Sequence, residues 1–172
     1  SHLVWLGTSG LDLAAMSVFL YCMREREKIL DIFETISGQR MMTTYVRPGG
    51  LWRDVTPDFE TAVAQFVDEF PRSIAEYHDM FDTNELFIDR TKGVSTISKE
   101  DCVRWAVNGP ILRAAGMAYD LRKVTPYSGY DQYNFTIPVR EEGDIYARYE
   151  VRLDEMEQSL KIIRQALDRL PL

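Results

Sequence analysis

Few residues of this 172-residue chain have the types and spacing that chemistry needs, and most familiar arrangements are missing. His2 and His78 are the only histidines, too few for a histidine-rich metal site. Cys22 and Cys102 stand far apart without a Cys-x-x-Cys pair, so neither a disulfide framework nor a zinc or iron-sulfur site is encoded. No Gly-x-Gly-x-x-Gly or Gly-Lys-Ser/Thr loop cradles phosphate, and no Gly-x-Ser-x-Gly elbow offers a nucleophile. Two residues stand out instead. Asp12 is a carboxylate inside the apolar run Leu11-Asp12-Leu13-Ala14-Ala15-Met16. An unpaired buried carboxylate costs several kcal/mol or is neutralised, so it is either paired, on a cavity wall, or the N-cap of a helix junction after Gly10. Arg47, in Val46-Arg47-Pro48-Gly49-Gly50, is held by rigid backbone, which suits a fixed charge aimed at an anion or at a partner's carbonyls, or equally a structural salt bridge.

The elements that must position these residues are mainly helical. Leu3 to Phe33 is apolar at helical spacing, interrupted by Gly7-Thr8-Ser9-Gly10, and predicts two helices or one bent helix ending at Gly38 as a left-handed cap. Arg24, Glu25, Arg26, Glu27, Lys28 and Asp31 read as a solvated or interfacial helix face. Val46 to Trp52 reads as an ordered loop. Phe59, Val63, Phe66, Val67, Phe70, Ile74, Tyr77 and Phe81 form one helical stripe, with Pro71 expected to kink or divide it. Ser98 and Asp101 suggest a capping box for a short helix through Val107, stopped by Gly109-Pro110. Tyr133, Phe135, Ile137 and Val139 alternate as a strand does, with Val94–Ile97 as its partner in a small sheet. Asp144 is expected to cap a long amphipathic helix through residue 172, its charged face starting with Asp154, Glu155 and Glu157. The Arg- and Tyr-rich segments around Arg113 and from Tyr119 to Tyr130 suit subunit contacts.

Composition narrows the function classes. The 20 Lys+Arg against 27 Asp+Glu give a net charge of -7, the wrong sign for a nucleic-acid phosphate binder. No stretch approaches the roughly 20 apolar residues of a bilayer-spanning helix. The chain opens at Ser1 without an initiator Met and reads as a piece of a longer polypeptide.

Four blocks then resemble one family: SHLVWLGTSGLDLAAM (1–16), FLYCMREREKILDIFETISGQRMMTTYVRPGG (19–50), GPILRAAGMAYDLRKVTPYSGYDQYNF (109–135) and GDIYARYEVRLDEMEQSLKIIRQALDRLP (143–171). Together they are similar to the D-type subunit of proton-pumping NADH-quinone oxidoreductase, respiratory complex I, which is related to the large subunit of nickel-iron hydrogenases. Only residues 51–108 match loosely. The resemblance implies a chain more than twice this length, whose earlier part supplies a quinone-binding histidine and tyrosine. It implies that Asp12 is the acid that pairs with that histidine in the quinone chamber. It places Arg47 near the terminal iron-sulfur cluster of a neighbouring subunit. At Met42 many members carry a histidine that couples the cluster's potential to pH; methionine can neither titrate nor donate a hydrogen bond. Ser9 and Ala14 stand where glycine is often found.

The fold expected is mainly α, a helical bundle with a small antiparallel sheet, as part of the hydrogenase large-subunit-like fold. Its stretches are buried helices and the Arg-Pro-Gly-Gly loop (1–50), a helical middle (51–108), an irregular and strand segment (109–142) and the long helix (143–172). The function implied is one wall of a quinone-reduction chamber in an enzyme that passes electrons from NADH to quinone and pumps protons. The quinone, menaquinone or ubiquinone, binds at the subunit interface; NAD and iron-sulfur clusters belong to other subunits, and this fragment alone binds none of them and is inactive. Expected partners are other complex I subunits, above all the cluster-bearing neighbour and the membrane-arm subunit of the chamber. The expected location is peripheral, at the cytoplasmic side of the cell membrane. Bare apolar surface predicts self-association. Rival readings are the equivalent subunit of a coenzyme F420H2 dehydrogenase or membrane-bound hydrogenase, or a non-catalytic helical interaction module.

Overall fold

The computed structural model describes residues 1–170. The expected long helix therefore ends, at residues 171 and 172, outside the described residues. The chain forms two units: residues 3–75 with Ser1 and Leu170, and residues 76–169 with His2.

In the first unit, helix α1 (His2–Asp12) buries Leu3, Leu6, Gly7 and Gly10 on one side. The small residues do not interrupt the helix, as their types suggest, but let α2 (Met16–Ser37) come close. A Cβ on Gly7 would lie 3.3 Å from Cys22 Cβ, and one on Gly10 would lie 3.2 Å from Val18 Cβ. The break falls later, at residues 13–15, where Ala14 holds φ 60°, a conformation that costs a Cβ-bearing residue about 1 kcal/mol. Helix α2 ends as its sequence predicts, on Gly38 in the left-handed region, whose N–H donates to Glu34 O.

The expected loop at 46–52 is a hairpin. Strands β1 (Val46–Arg47) and β2 (Gly50–Leu51) pair antiparallel around Pro48 and Gly49. Proline fixes its own φ near about -65°, and Gly49 at φ 92° supplies the positive φ that a tight turn requires after it. The bond from Trp52 N to Tyr45 O extends the pairing by one rung.

Helix α3 (Pro57–Phe81) runs from the first unit into the second and is not divided at Pro71. Its stripe is buried from Val63 to Phe81, and that packing outweighs the lost backbone bond. In the second unit Phe81 meets Phe87 of α4 (Glu85–Thr91) and Tyr149 of α8 (Ile145–Leu167), with ring centroids 4.2 and 5.5 Å away.

Helix α5 (Lys99–Arg104) is capped by Ser98 as predicted, but it stops before Val107. Pro110 begins α6 (Pro110–Ala114) instead of merely ending its predecessor. A short α7 (Leu121–Val124) and a 3-10 turn at Tyr130–Gln132 follow. Asp144 caps α8, accepting from Ala147 N, while its other oxygen accepts from Gly93 N, both at 2.7 Å. Beside it Gly143 stands at φ 66°, where a Cβ would fall 2.3 Å from Ile97 O.

The expected sheet between 133–139 and 94–97 does not form. Phe135 is buried between exposed Asn134 and Thr136, so the local alternation is there, but no strand accepts it. Side chains of α8 stand in for one. Gln165 Oε1 accepts from Asn134 N and its amide donates to Asn134 O, and Gln158 Oε1 accepts from Thr136 N. Segment 94–97 bonds the turn before α8 instead, through Ile97 N to Gly143 O and Ile145 N to Val94 O.

Candidate functional site

The hairpin and the turn before it gather the arginines. Arg40 lies against α2 and is answered by three acids of that helix, Glu27, Asp31 and Glu34. Its hydrogen bonds to Asp31 and Glu34 push its pKa up, so this cation is locally neutralised. Arg47 has no such answer. Its side chain is exposed, its Nε donates to Thr44 O at 3.2 Å, and its Cζ lies 5.6 Å from the Trp52 ring centroid. Among the described residues no carboxylate is within ion-pair distance of it, so the salt-bridge alternative for Arg47 is not realised. Met42 stands between the two in sequence, 85% exposed and at φ 54°.

Arg53 ties this assembly to α2. Its Nε donates to Ile36 O at 2.9 Å and its terminal nitrogen to Thr35 O, occupying carbonyls at the negative end of the helix. Its Cζ is 5.2 Å from the same Trp52 ring, and its own carbonyl accepts from Tyr45 Oη at 2.9 Å.

Asp12 corrects two expectations. It is exposed, at the surface end of the helix rather than sealed in apolar surroundings, and it is the last residue of α1, not an N-cap. Ala15 occupies the N-cap of α2 without a side-chain hydrogen bond. Among the described residues the Asp12 side chain has no hydrogen bond or ion pair. A carboxylate at a helix C-terminus faces carbonyl dipoles of its own sign, worth about 0.3–1 kcal/mol against it. It is an anion without a local reason to be there. The structure does not bring Asp12 into contact with Met42 or Arg47; a 250 Å³ groove lined by Lys28, Asp31, Thr35, Gln65, Phe66 and Glu69 includes none of the three.

The helix face at 24–28 also departs from expectation, since Glu25 is buried and held by Arg24 Nε at 2.7 Å and Lys28 Nζ at 3.1 Å. The second unit holds a larger buried ion cluster that sequence reading misses. Glu155, assigned to the charged face of α8, is 7% exposed and accepts from Arg113 Nε at 2.5 Å, with His2 Nε2 at 2.7 Å. Burial pushes its carboxyl up, but the hydrogen bonds from His2 and Arg113 outweigh that and hold it below the usual range. Arg113 also donates to Tyr119 O. Nearby Arg152 is brought down to about 10 by burial. The signal available is position: Met156 and Leu160 are apolar, so Glu155 lies on the flank of a helix whose first half is buried on most sides.

Asp82 anchors the aromatic group, accepting from Tyr149 Oη at 2.9 Å and Tyr146 Oη at 3.3 Å, with His78 Nδ1 at 2.8 Å. Burial and then the Asp82 charge raise both phenols, Tyr146 to about 12. Cys22 and Cys102 are each fully buried. Among the described residues no group of three or more His, Cys, Asp or Glu is placed to hold a metal ion, and no helix is long and apolar enough to cross a membrane.

Comparison with known proteins gives one family. The model of the respiratory-chain NADH dehydrogenase 49 Kd subunit matches residues 12–172. The D 2 subunit of NADH-quinone oxidoreductase from Chloroflexus aurantiacus is 56% identical over 170 residues, covering 99% of this chain and 41% of that protein. The D 1 subunit from Solibacter usitatus is 52% identical over 171 residues, covering 99% and 42%. The D 2 subunit from Roseiflexus sp. is 55% identical over 170 residues, covering 99% and 41%. The chain thus spans about two fifths of the length of the curated relatives it matches.

Proposed function

The chain belongs to the family of the respiratory-chain NADH dehydrogenase 49 kDa subunit, the D-type subunit of complex I, and from that premise we propose that it forms one wall of a quinone-reduction chamber. In this reading electrons from NADH reach quinone beside a cluster-bearing neighbour, and the reaction drives proton translocation by a membrane arm. The subunit sits peripherally, on the cytoplasmic side. The names of the relatives favour this over an F420H2 dehydrogenase or a membrane-bound hydrogenase.

The observation that carries the reading is the state of Asp12. It is exposed to solvent, without a side-chain partner among the described residues, and placed where α1 disfavours an anion. Such a carboxylate is ready to receive a cation from outside these residues. A histidine, held as imidazolium while paired and released when quinone takes up protons, satisfies that demand. The chain's own part in the chemistry is then to hold that acid at a helix end whose position is fixed by the close α1–α2 packing at Gly7 and Gly10.

Arg47 contributes a second fixed charge, toward the terminal cluster of the neighbour. Met42 in place of histidine gives that cluster a lower, pH-independent potential, as suits a low-potential quinone such as menaquinone. The cluster is the neighbour's in this reading; both thiols here are buried singly within the fold.

Asp12→Asn in the assembled enzyme is expected to abolish most quinone reductase activity while leaving electron entry from NADH to artificial acceptors intact. Unchanged quinone reduction would return the chain to a non-catalytic interaction module. For Met42, a steep pH dependence of the terminal cluster's midpoint potential would overturn the assignment.

A further inference from the structure

Arg47 and Arg53 approach one indole, that of Trp52, and neither guanidinium has a carboxylate within ion-pair reach among the described residues. Two like charges around one ring repel each other, and elsewhere in the same unit the fold does supply acids, three of them to Arg40 alone. The hairpin thus keeps its cations unneutralised while restricting where they point. Arg53 is fixed at its far end by the carbonyls of Ile36 and Thr35 and at its backbone by Tyr45 Oη. Its head holds the Trp52 ring, while the backbone bond from Trp52 N to Tyr45 O holds the residue across the hairpin. The ring in turn offers its negative π-face to Arg47, whose Nε is spent on Thr44 O. Without ring and carbonyl, an exposed arginine on a two-residue strand would distribute its charge over many rotamers.

We infer that Trp52 and Arg53 are positioning residues, which fix the direction of the Arg47 charge by bracing it against the C-terminal turn of α2. This rests on the reading of Arg47 as the charge presented to the neighbouring subunit's cluster. A cation held beside a cluster favours its reduced, more negative state, and a cation free to swing away favours it less.

The test is a redox titration of the terminal cluster's paramagnetic signal in the assembled full-length enzyme. Arg47→Met is the reference and is expected to lower the midpoint potential. Trp52→Leu is expected to lower it in the same direction by a smaller shift, and Trp52→Phe, which keeps a π-face, to restore most of the wild-type value. Arg53→Met, which leaves Arg47 and Trp52 in place, is expected to act like Trp52→Leu and carries the test if the latter fails to assemble. A shift for Arg47→Met together with wild-type potentials for Trp52→Leu and Arg53→Met overturns the positioning role alone. A wild-type potential for Arg47→Met overturns the reading of Arg47 itself.

Discussion

Arg113 in the second unit and Arg47 on the hairpin carry the same charge in opposite settings. The Arg113 side chain is 11% exposed and answered by Glu155, which is answered again by His2; Arg47 stands in solvent with a carbonyl and an aromatic ring. Withdrawing a charge from water obliges the fold to match it, and a matched charge has little left to offer a partner. A charge left in water costs the fold almost nothing and stays available. The difference separates the arginine that holds this chain together from the one that faces outward.

The sharpest way to break that contrast is to remove Arg113. Arg113→Ala removes the buried cation that donates to Glu155 and is expected to destabilise the chain by about 3–5 kcal/mol in chemical denaturation, whereas Arg47→Ala should change little. A loss below about 1 kcal/mol for Arg113→Ala would mean that water reaches Glu155 and that the two settings are alike.

Glu155→Gln comes next, at about 1–3 kcal/mol near neutral pH, because the amide keeps an acceptor but drops the charge. Its pH dependence carries more information than its size. The Glu155 carboxyl is held below its ordinary value in the fold, so its contribution is complete above the unfolded pKa and is lost as pH falls through the folded one. Acid unfolding of the variant is therefore expected to be flatter across that acidic window. An unchanged acid profile would show that other carboxylates dominate it.

Strain supplies a smaller test. Ala14 and Met42 both hold left-handed φ without being glycine, and both lie beside candidate functional residues or are one. Ala14→Gly is expected to stabilise the chain by about 0.5–1 kcal/mol, as a raised thermal midpoint, because the relieved φ outweighs the added unfolded-state freedom. The smallest effect belongs to Arg47→Ala, below about 0.5 kcal/mol. A larger loss would place Arg47 among the residues that maintain the fold.

Periodicity and cap chemistry make much of this fold legible. The stripe from Val63 to Phe81, the Gly38 end of α2, the Ser98 cap and the Asp144 cap all depend on neighbours within a few turns, and each appears where its residues place it. The features that sequence misreads depend on distant partners. Residues 133–139 have the alternation of a strand, yet pairing is decided by which donors and acceptors arrive, and those are glutamines of α8. Gly7 and Gly10 break a helix by propensity but admit a neighbouring helix by size, and size wins once α2 is packed there. Glu155 reads as solvated because its sequence neighbours are charged; its partner in burial is Arg113, 42 positions earlier. Asp12 stands out by its apolar surroundings, which reflect the helices that meet there, while its own side chain is left without a partner at the helix end.

The glutamines of α8 carry one more consequence, for how this stretch of sequence can drift. Gln165 both accepts from and donates to Asn134, so an aspartate or glutamate there would lose the donor, and a lysine the acceptor. Gln158 accepts from Thr136 and is buried, so a glutamate would meet that hydrogen-bond demand and still suffer desolvation. One position is restricted by bonding capacity and the other by charge. Substitution at either would loosen residues 134–136 from the helix, a vulnerability that hydrophobic patterning alone does not reveal.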